Sequence, residues 1–136
     1  MYLLDTNVIS ELRKPQADAN VVAWAKSVIA LRMFISAITL KELETLVLRL
    51  ERKDPAQGKV LRTWLKRHVL PAFEARILPV DAAVALRCAH LHVPDQANES
   101  DALIAATALV HGLTVVTRNV SDFKSSGVPL LNPWGE

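Results

Sequence analysis

The sequence predicts an α/β fold, a mostly parallel central sheet flanked by helices in a three-layer sandwich. Three observations carry that reading. Short apolar runs at residues 2–4, 33–37, 77–80 and 113–117 alternate with longer segments whose apolar residues recur at helical spacing. Hydrophobic residues make up 51% of the chain, enough to cover a sheet on both faces. Cap and turn residues separate the segments, with no repeat and no low-complexity linker between them.

Taken in order, residues 2–4 form a buried strand ended by Asp5, and a short helix over 6–12 follows, stopped near Pro15. Asp18 caps the next helix, where Val21, Val22, Trp24, Ala25, Val28 and Ile29 share a face. Residues 33–37 are the second strand. Residues 39–52 are a helix with a broad apolar face of Leu40, Leu43, Leu46, Val47 and Leu50. Pro55 opens another, with Leu61, Trp64, Leu65 and His68 on one side and Lys59, Arg62 and Lys66 on the other. A third strand at 77–80 leads to Asp81, which caps a helix of alanines and leucines. After a loop at 94–98, a helix over 99–111 is terminated by Gly112. The strand at 113–117 has a polar turn behind it at 118–122, and a last short strand falls at 128–131.

A chain of 136 residues fits one domain, taken as 1–136. The single cysteine, Cys88, cannot form an internal bridge, which points to a reducing, cytoplasmic setting. The first residues, Met1-Tyr2-Leu3-Leu4-Asp5, lack the basic start of a signal peptide. Apolar runs fall short of the roughly 18 residues a membrane span needs, so no membrane association is expected. The net charge of +2 says little by itself.

The placement of the acids says more. In an open α/β sheet, sites form outside the carboxyl ends of the strands. Asp5 ends the first strand and Asp122 lies in the turn after the fourth. A helix that returns to a parallel strand starts at that same edge, which places Glu42 and Asp101 there too. Each acid alone has a bland explanation. Asp5 and Asp122 can cap short helices, Thr39-x-x-Glu42 matches a capping box, and Asn98-x-x-Asp101 resembles a cap with an acid in the first turn. Jointly the bland reading weakens, because two like charges about 4 Å apart repel by roughly 4 kcal/mol at an effective dielectric of about 20. A hard divalent cation relieves that repulsion, and Mg²⁺ binds through carboxylate and water oxygens.

The same segments resemble the PIN-domain family, in particular its VapC/FitB-like toxin branch. The resemblance rests on the runs Leu4-Asp5-Thr6-Asn7-Val8-Ile9-Ser10-Glu11-Leu12, Ile38-Thr39-Leu40-Lys41-Glu42-Leu43, Asp101-Ala102-Leu103-Ile104-Ala105-Ala106-Thr107-Ala108 and Val116-Thr117-Arg118-Asn119-Val120-Ser121-Asp122-Phe123. Their order spans nearly the whole chain. The resemblance implies an endoribonuclease that uses Mg²⁺ or Mn²⁺, acting as the toxin of a type II toxin–antitoxin pair with a small antitoxin as partner. It implies an acidic metal site of Asp5, Glu42, Asp101 and Asp122, with Asn7 and Thr117 orienting waters or carboxylates. Lys41 departs from the family, where a glycine commonly precedes the glutamate. Exposed apolar helices and the family together favour a homodimer.

Other features are weighed against plainer roles. Eight of the sixteen lysines and arginines lie between Arg49 and Arg76, against three acids. They read either as a solvated face or as a phosphate-tracking surface, with Lys59, Arg62 and Lys66 as candidate RNA contacts. His90 and His92, two apart on a helix, point in different directions, and His68 and His111 lack neighbours at ligand spacing. Cys88 reads as a buried, inert thiol. Glu44 and Asp81 are explained by a surface position and a helix cap. A dehalogenase-type phosphatase needs an aspartate where Asn7 stands, and a receiver domain needs a lysine where Thr117 or Asn132 stands. The stronger rival is a non-catalytic module whose acidic pocket captures a basic residue of a partner protein.

Overall fold

A computed structural model describes residues 1–135. Its strands are β1 (Tyr2–Leu4), β2 (Met33–Ser36), β3 (Ile77–Leu78), β4 (Thr114–Val116) and β5 (Leu130–Leu131). They form one sheet in the order β3-β2-β1-β4-β5, and every pairing is parallel. The helices are α1 (Thr6–Arg13), α2 (Ala19–Ser27), α3 (Ala37–Lys53), α4 (Pro55–Trp64), α5 (Leu70–Ala72), α6 (Ala82–Leu91) and α7 (Glu99–His111).

Strand side chains alternate between two cores, as the period of two requires. Leu4 and Val116 pack on one face with Val8, Val21, Leu43, Val47, Leu61 and Leu65 from α1 to α4 and the turn beyond. Leu3 and Val115 face the other way, onto Ile104, Ala105 and Ala108 of α7, with Phe123 and Val128. Helix α6 packs on α7 through Val84, Cys88, Ala102 and Ala106. Each fully buried Val, Leu, Ile or Phe contributes about 1.5–3 kcal/mol relative to exposure, so the two cores hold the sheet edges in place.

Helix starts follow the polar punctuation. Asp18 accepts the Asn20 and Val21 amides, at 2.9 and 3.2 Å. Asp54 accepts from Gln57 ahead of Pro55, Asp81 from Val84, and Asn98 from Asp101 at 3.0 Å. Gly112 ends α7 at φ 67°, a left-handed conformation that favours glycine.

The structure departs from the sequence pattern in a few places. Helix α2 stops at Ser27, leaving Ile29 exposed in the segment before β2. Helix α3 begins at Ala37, two residues before the expected start, because Ser36 at the strand end caps it through the Ile38 amide at 3.0 Å. After Trp64 the helix widens into a π turn, Leu65–Val69, which keeps Leu65 and Val69 buried and turns His68 outward. Strands β3 and β5 have only two residues each.

The topology creates a crevice. Strands β2 and β3 lie on one side of β1, and β4 and β5 on the other, so strand order reverses between β1 and β4. Outside the carboxyl ends of strands at such a reversal, helices diverge to opposite faces and leave a gap that ligands occupy. Asp5 follows β1 and Thr117 follows β4 at that gap.

Candidate active site

Asp5 is buried at the bottom of the crevice, and each of its oxygens is held. Oδ1 accepts the Thr6 amide at 2.8 Å, so Asp5 does cap α1. Oδ2 accepts the Thr117 hydroxyl at 2.8 Å across the β1–β4 gap and the Asn7 side-chain amide at 3.5 Å. Asn7 also donates to Thr117 Oγ1 at 3.3 Å, and its carbonyl receives the Arg118 amide at 3.4 Å. Thr117 Oγ1 accepts the Asn119 amide at 3.1 Å, which fixes its hydroxyl as the donor to Asp5. Asn7 and Thr117 therefore orient the Asp5 carboxylate.

Glu42 reaches the crevice from α3. The capping-box explanation for it does not hold: with the helix start at Ala37, Glu42 stands in the second turn, and Thr39 is buried with its hydroxyl lacking a partner. Glu42 Oε1 instead accepts a short hydrogen bond from the Thr6 hydroxyl. This contact of Thr6 with Glu42 is one that the sequence pattern did not reveal. The available signal was the place of Thr6 at the first helical position next to Asp5, where the usual backbone acceptor one turn back does not exist.

Asp101 lies in the first turn of α7 as expected, its amide held by Asn98. Asp122 ends the 3-10 turn Val120–Asp122, and the buried Phe123 anchors that turn in the core. Asp101 and Asp122 line a cavity of about 20 Å³ together with Ser125 and Ser126, room for one water-sized occupant. The charges act on one another. Burial, then the charges of Asp5, Asp122 and Glu42, raise the Asp101 pKa to about 6. Asp5 is also raised, by burial first and by Glu42 and Asp122, against the opposing hydrogen bonds of Thr117 and Thr6.

Among the described residues no lysine or arginine pairs with any of these four acids. The Arg118 guanidinium lies over the Trp134 ring at 5.3 Å. The donor set is all oxygen, and it is negatively charged and partly desolvated, which fits a hard divalent cation.

The basic stretch is divided. Arg62 binds Glu51 through Nε and Nη2, both at 3.1 Å, and Glu44 through Nη1 at 2.6 Å, tying α4 to α3. Arg76 donates to the carbonyls of Ala30, Met33 and Ala72. Lys59 lines a concavity with Arg13 and His68, whereas Lys66 lines a different one with Lys41 and Leu40. Arg62 lines the same concavity as Lys66, and Lys59 the neighbouring one. His90 is exposed, and His92 contacts Cys88 and Glu99 and none of the four acids. Glu44 pairs with Arg62 and Asp81 caps α6, as the plainer readings have it.

Comparison with known proteins agrees with this architecture. A family model described as PIN domain matches residues 2–125. Over 98% of its length the chain is 42% identical to Toxin FitB of Neisseria gonorrhoeae, covering 99% of that protein. It is 37% identical to VapC ribonuclease Y4jK of Sinorhizobium fredii, covering 98% of both. The crystal structure of FitAcB from Neisseria gonorrhoeae superposes with a TM-score of 0.91 at 41% identity, over 98% of this chain and 99% of that one. Sheet order, crevice and sequence relatives agree, and the chain belongs to the PIN-domain family, on the branch that holds FitB and the VapC proteins.

Proposed function

We propose that the chain is a Mg²⁺- or Mn²⁺-dependent endoribonuclease that hydrolyses RNA phosphodiester bonds at Asp5, Glu42, Asp101 and Asp122. We further propose that it serves as the toxin of a type II toxin–antitoxin pair in the cytoplasm, as a homodimer held inactive by a small antitoxin that presents a basic residue to the crevice. The observation that carries the chemistry is a set of four carboxylates that lack a cationic partner among the described residues and whose charges add to burial in raising the pKa of Asp5 and Asp101. The biological role is supported by relatives named as a toxin and a ribonuclease and by the similar fold of a toxin–antitoxin complex from Klebsiella pneumoniae. No helix of the described residues is long and apolar enough to cross a membrane.

In this reading Asp5, Glu42, Asp101 and Asp122 hold the cation, which supplies charge stabilisation at the phosphate and activates water. Thr117 and Asn7 keep Asp5 in one orientation, so its carboxylate is set before substrate arrives. Thr6 does the same for Glu42. These acids bind and orient, and no side-chain nucleophile is required.

The test is cleavage of single-stranded RNA by the purified chain with Mg²⁺ or Mn²⁺, with EDTA, and with Asp5→Asn and Asp101→Asn. Cleavage is expected only with metal, and each substitution should reduce it by orders of magnitude while the far-ultraviolet spectrum stays unchanged. Full activity in EDTA or in either variant rejects the metal site. Wild type that binds metal but leaves RNA intact favours the rival reading, a module that captures a partner's basic residue.

A further inference from the structure

A second cluster of chemically capable side chains lies where α6 hands the chain to α7. His92, immediately after α6, has its Nε2 3.1 Å from Glu99 Oε2 and 3.7 Å from Cys88 Sγ. All three donor atoms fall within 4.8 Å of one another, and thiolate, imidazole and carboxylate are the ligands that zinc takes. The Ala97 amide argues against a metal here. It donates to His92 Nδ1 at 3.0 Å, and a nitrogen that accepts an N–H carries no proton of its own. The proton of the neutral ring must then sit on Nε2, the atom a metal would need. Metal-bound histidines show the opposite arrangement, with the second nitrogen donating to a carbonyl or carboxylate.

The ring is instead a two-ended bracket, accepting from Ala97 at one end and standing 3.1 Å from a Glu99 carboxylate oxygen at the other. Those residues flank Asn98, the cap whose side chain holds the Asp101 amide. Among the described residues, Ala97 has the one backbone N–H of residues 95–98 that finds a partner within the protein. Cys88 is buried with Val84, Ala102 and Ala106, so the ring rests on a packed floor. We propose that His92 is a positioning residue for Asp101: by holding the Ala97 amide and lying against Glu99, the two neighbours of the Asn98 cap, it sets where α7 begins and so where Asp101 enters the crevice. The inference rests on the nuclease reading only in taking Asp101 as a site carboxylate.

The test uses the full chain without added metal. Long-range proton–nitrogen NMR of wild type should show His92 Nδ1 unprotonated. In His92→Phe, which keeps a ring but loses the hydrogen bond from Ala97 and the polar contact with Glu99, the Ala97 and Asp101 amides should exchange with deuterium faster than in wild type. RNA cleavage by that variant should show kcat reduced about tenfold with KM unchanged, the lower end of what removing a supporting hydrogen-bond partner does. His92→Asn, whose carboxamide oxygen takes the place of Nδ1, should restore most of the protection and most of the rate. Unchanged exchange at both amides in His92→Phe overturns the proposal. So does a wild-type Nδ1 that is protonated, with a zinc ion that Cys88→Ser releases. The tautomer is read on wild type, so a His92→Phe chain that fails to fold leaves that test in force. Wild type that does not cleave RNA, with the exchange difference intact, rejects the nuclease reading and upholds the bracket.

Discussion

Asp101 sits at an ordinary helix start, yet burial and three neighbouring charges lift its pKa from 3.8 to about 6. Between those values the folded chain keeps a proton that the unfolded chain has already released. Stability from this residue is therefore greatest below about pH 4, falls as pH rises, and levels off above about pH 6. Other carboxylates titrate in the opposite direction: Glu11 is lowered, chiefly by the Asp18 amide, and Glu51 by Arg62. The expected result is thus a difference. In EDTA, wild type should lose stability relative to Asp101→Asn as pH rises from 4 to 6, measured by urea unfolding. A pH-independent difference would show that the fold does not raise the Asp101 carboxyl above its ordinary range. Asp5 and Asp101 were legible in the sequence because strand ends and helix starts are marked locally. Thr6 was not, since its acceptor Glu42 lies 36 residues away.

At the scale of elements, helix periodicity and caps read well, but how the helices meet does not show in a one-dimensional pattern. Gly58 illustrates this. It is buried against α3, where an added Cβ would stand 2.4 Å from the Glu51 Cα. Alanine is the better helix former by about 1 kcal/mol, so in an isolated helix Gly58→Ala would stabilise. Here backbone would have to move apart, and the substitution should destabilise by about 1–3 kcal/mol in urea unfolding. Stabilisation would mean that α3 and α4 do not pack at that point. The π turn was equally invisible. Leu61, Leu65 and Val69 stand four apart, a spacing that an ordinary helix also satisfies, so only packing reveals the extra residue in the turn.

For the whole molecule, alternation of strands and helices was enough to predict a parallel sheet and to bring four distant acids to one edge. The distribution of cations was less legible, because sequence clustering does not say which charges are already paired. Arg62 is held by two glutamates, which leaves Lys59 and Lys66 of the proposed RNA contacts. Lys59→Ala and Lys66→Ala, each introduced into the Asp5→Asn chain, should therefore flatten the salt dependence of single-stranded RNA binding. The slope should fall by about 0.7 for each phosphate that is no longer neutralised. Because the two lysines line separate concavities, the reductions should add. Arg62→Ala should alter unfolding more than the slope. Equal slopes with and without the two lysines would return both residues to a solvated face.

The bond between Thr117 and Asp5 joins residues 112 positions apart, across the central pair of the sheet. Asp5 is therefore translated 112 residues before the threonine that holds it. Until Thr117 has emerged, Asp5 lacks the hydroxyl that orients it, and Asp101 and Asp122 likewise arrive long after it. A nascent chain thus has no assembled crevice. If the protein is the nuclease proposed here, a ribosome making it is not exposed to its activity until Thr117 and Asp122 have both emerged and met Asp5.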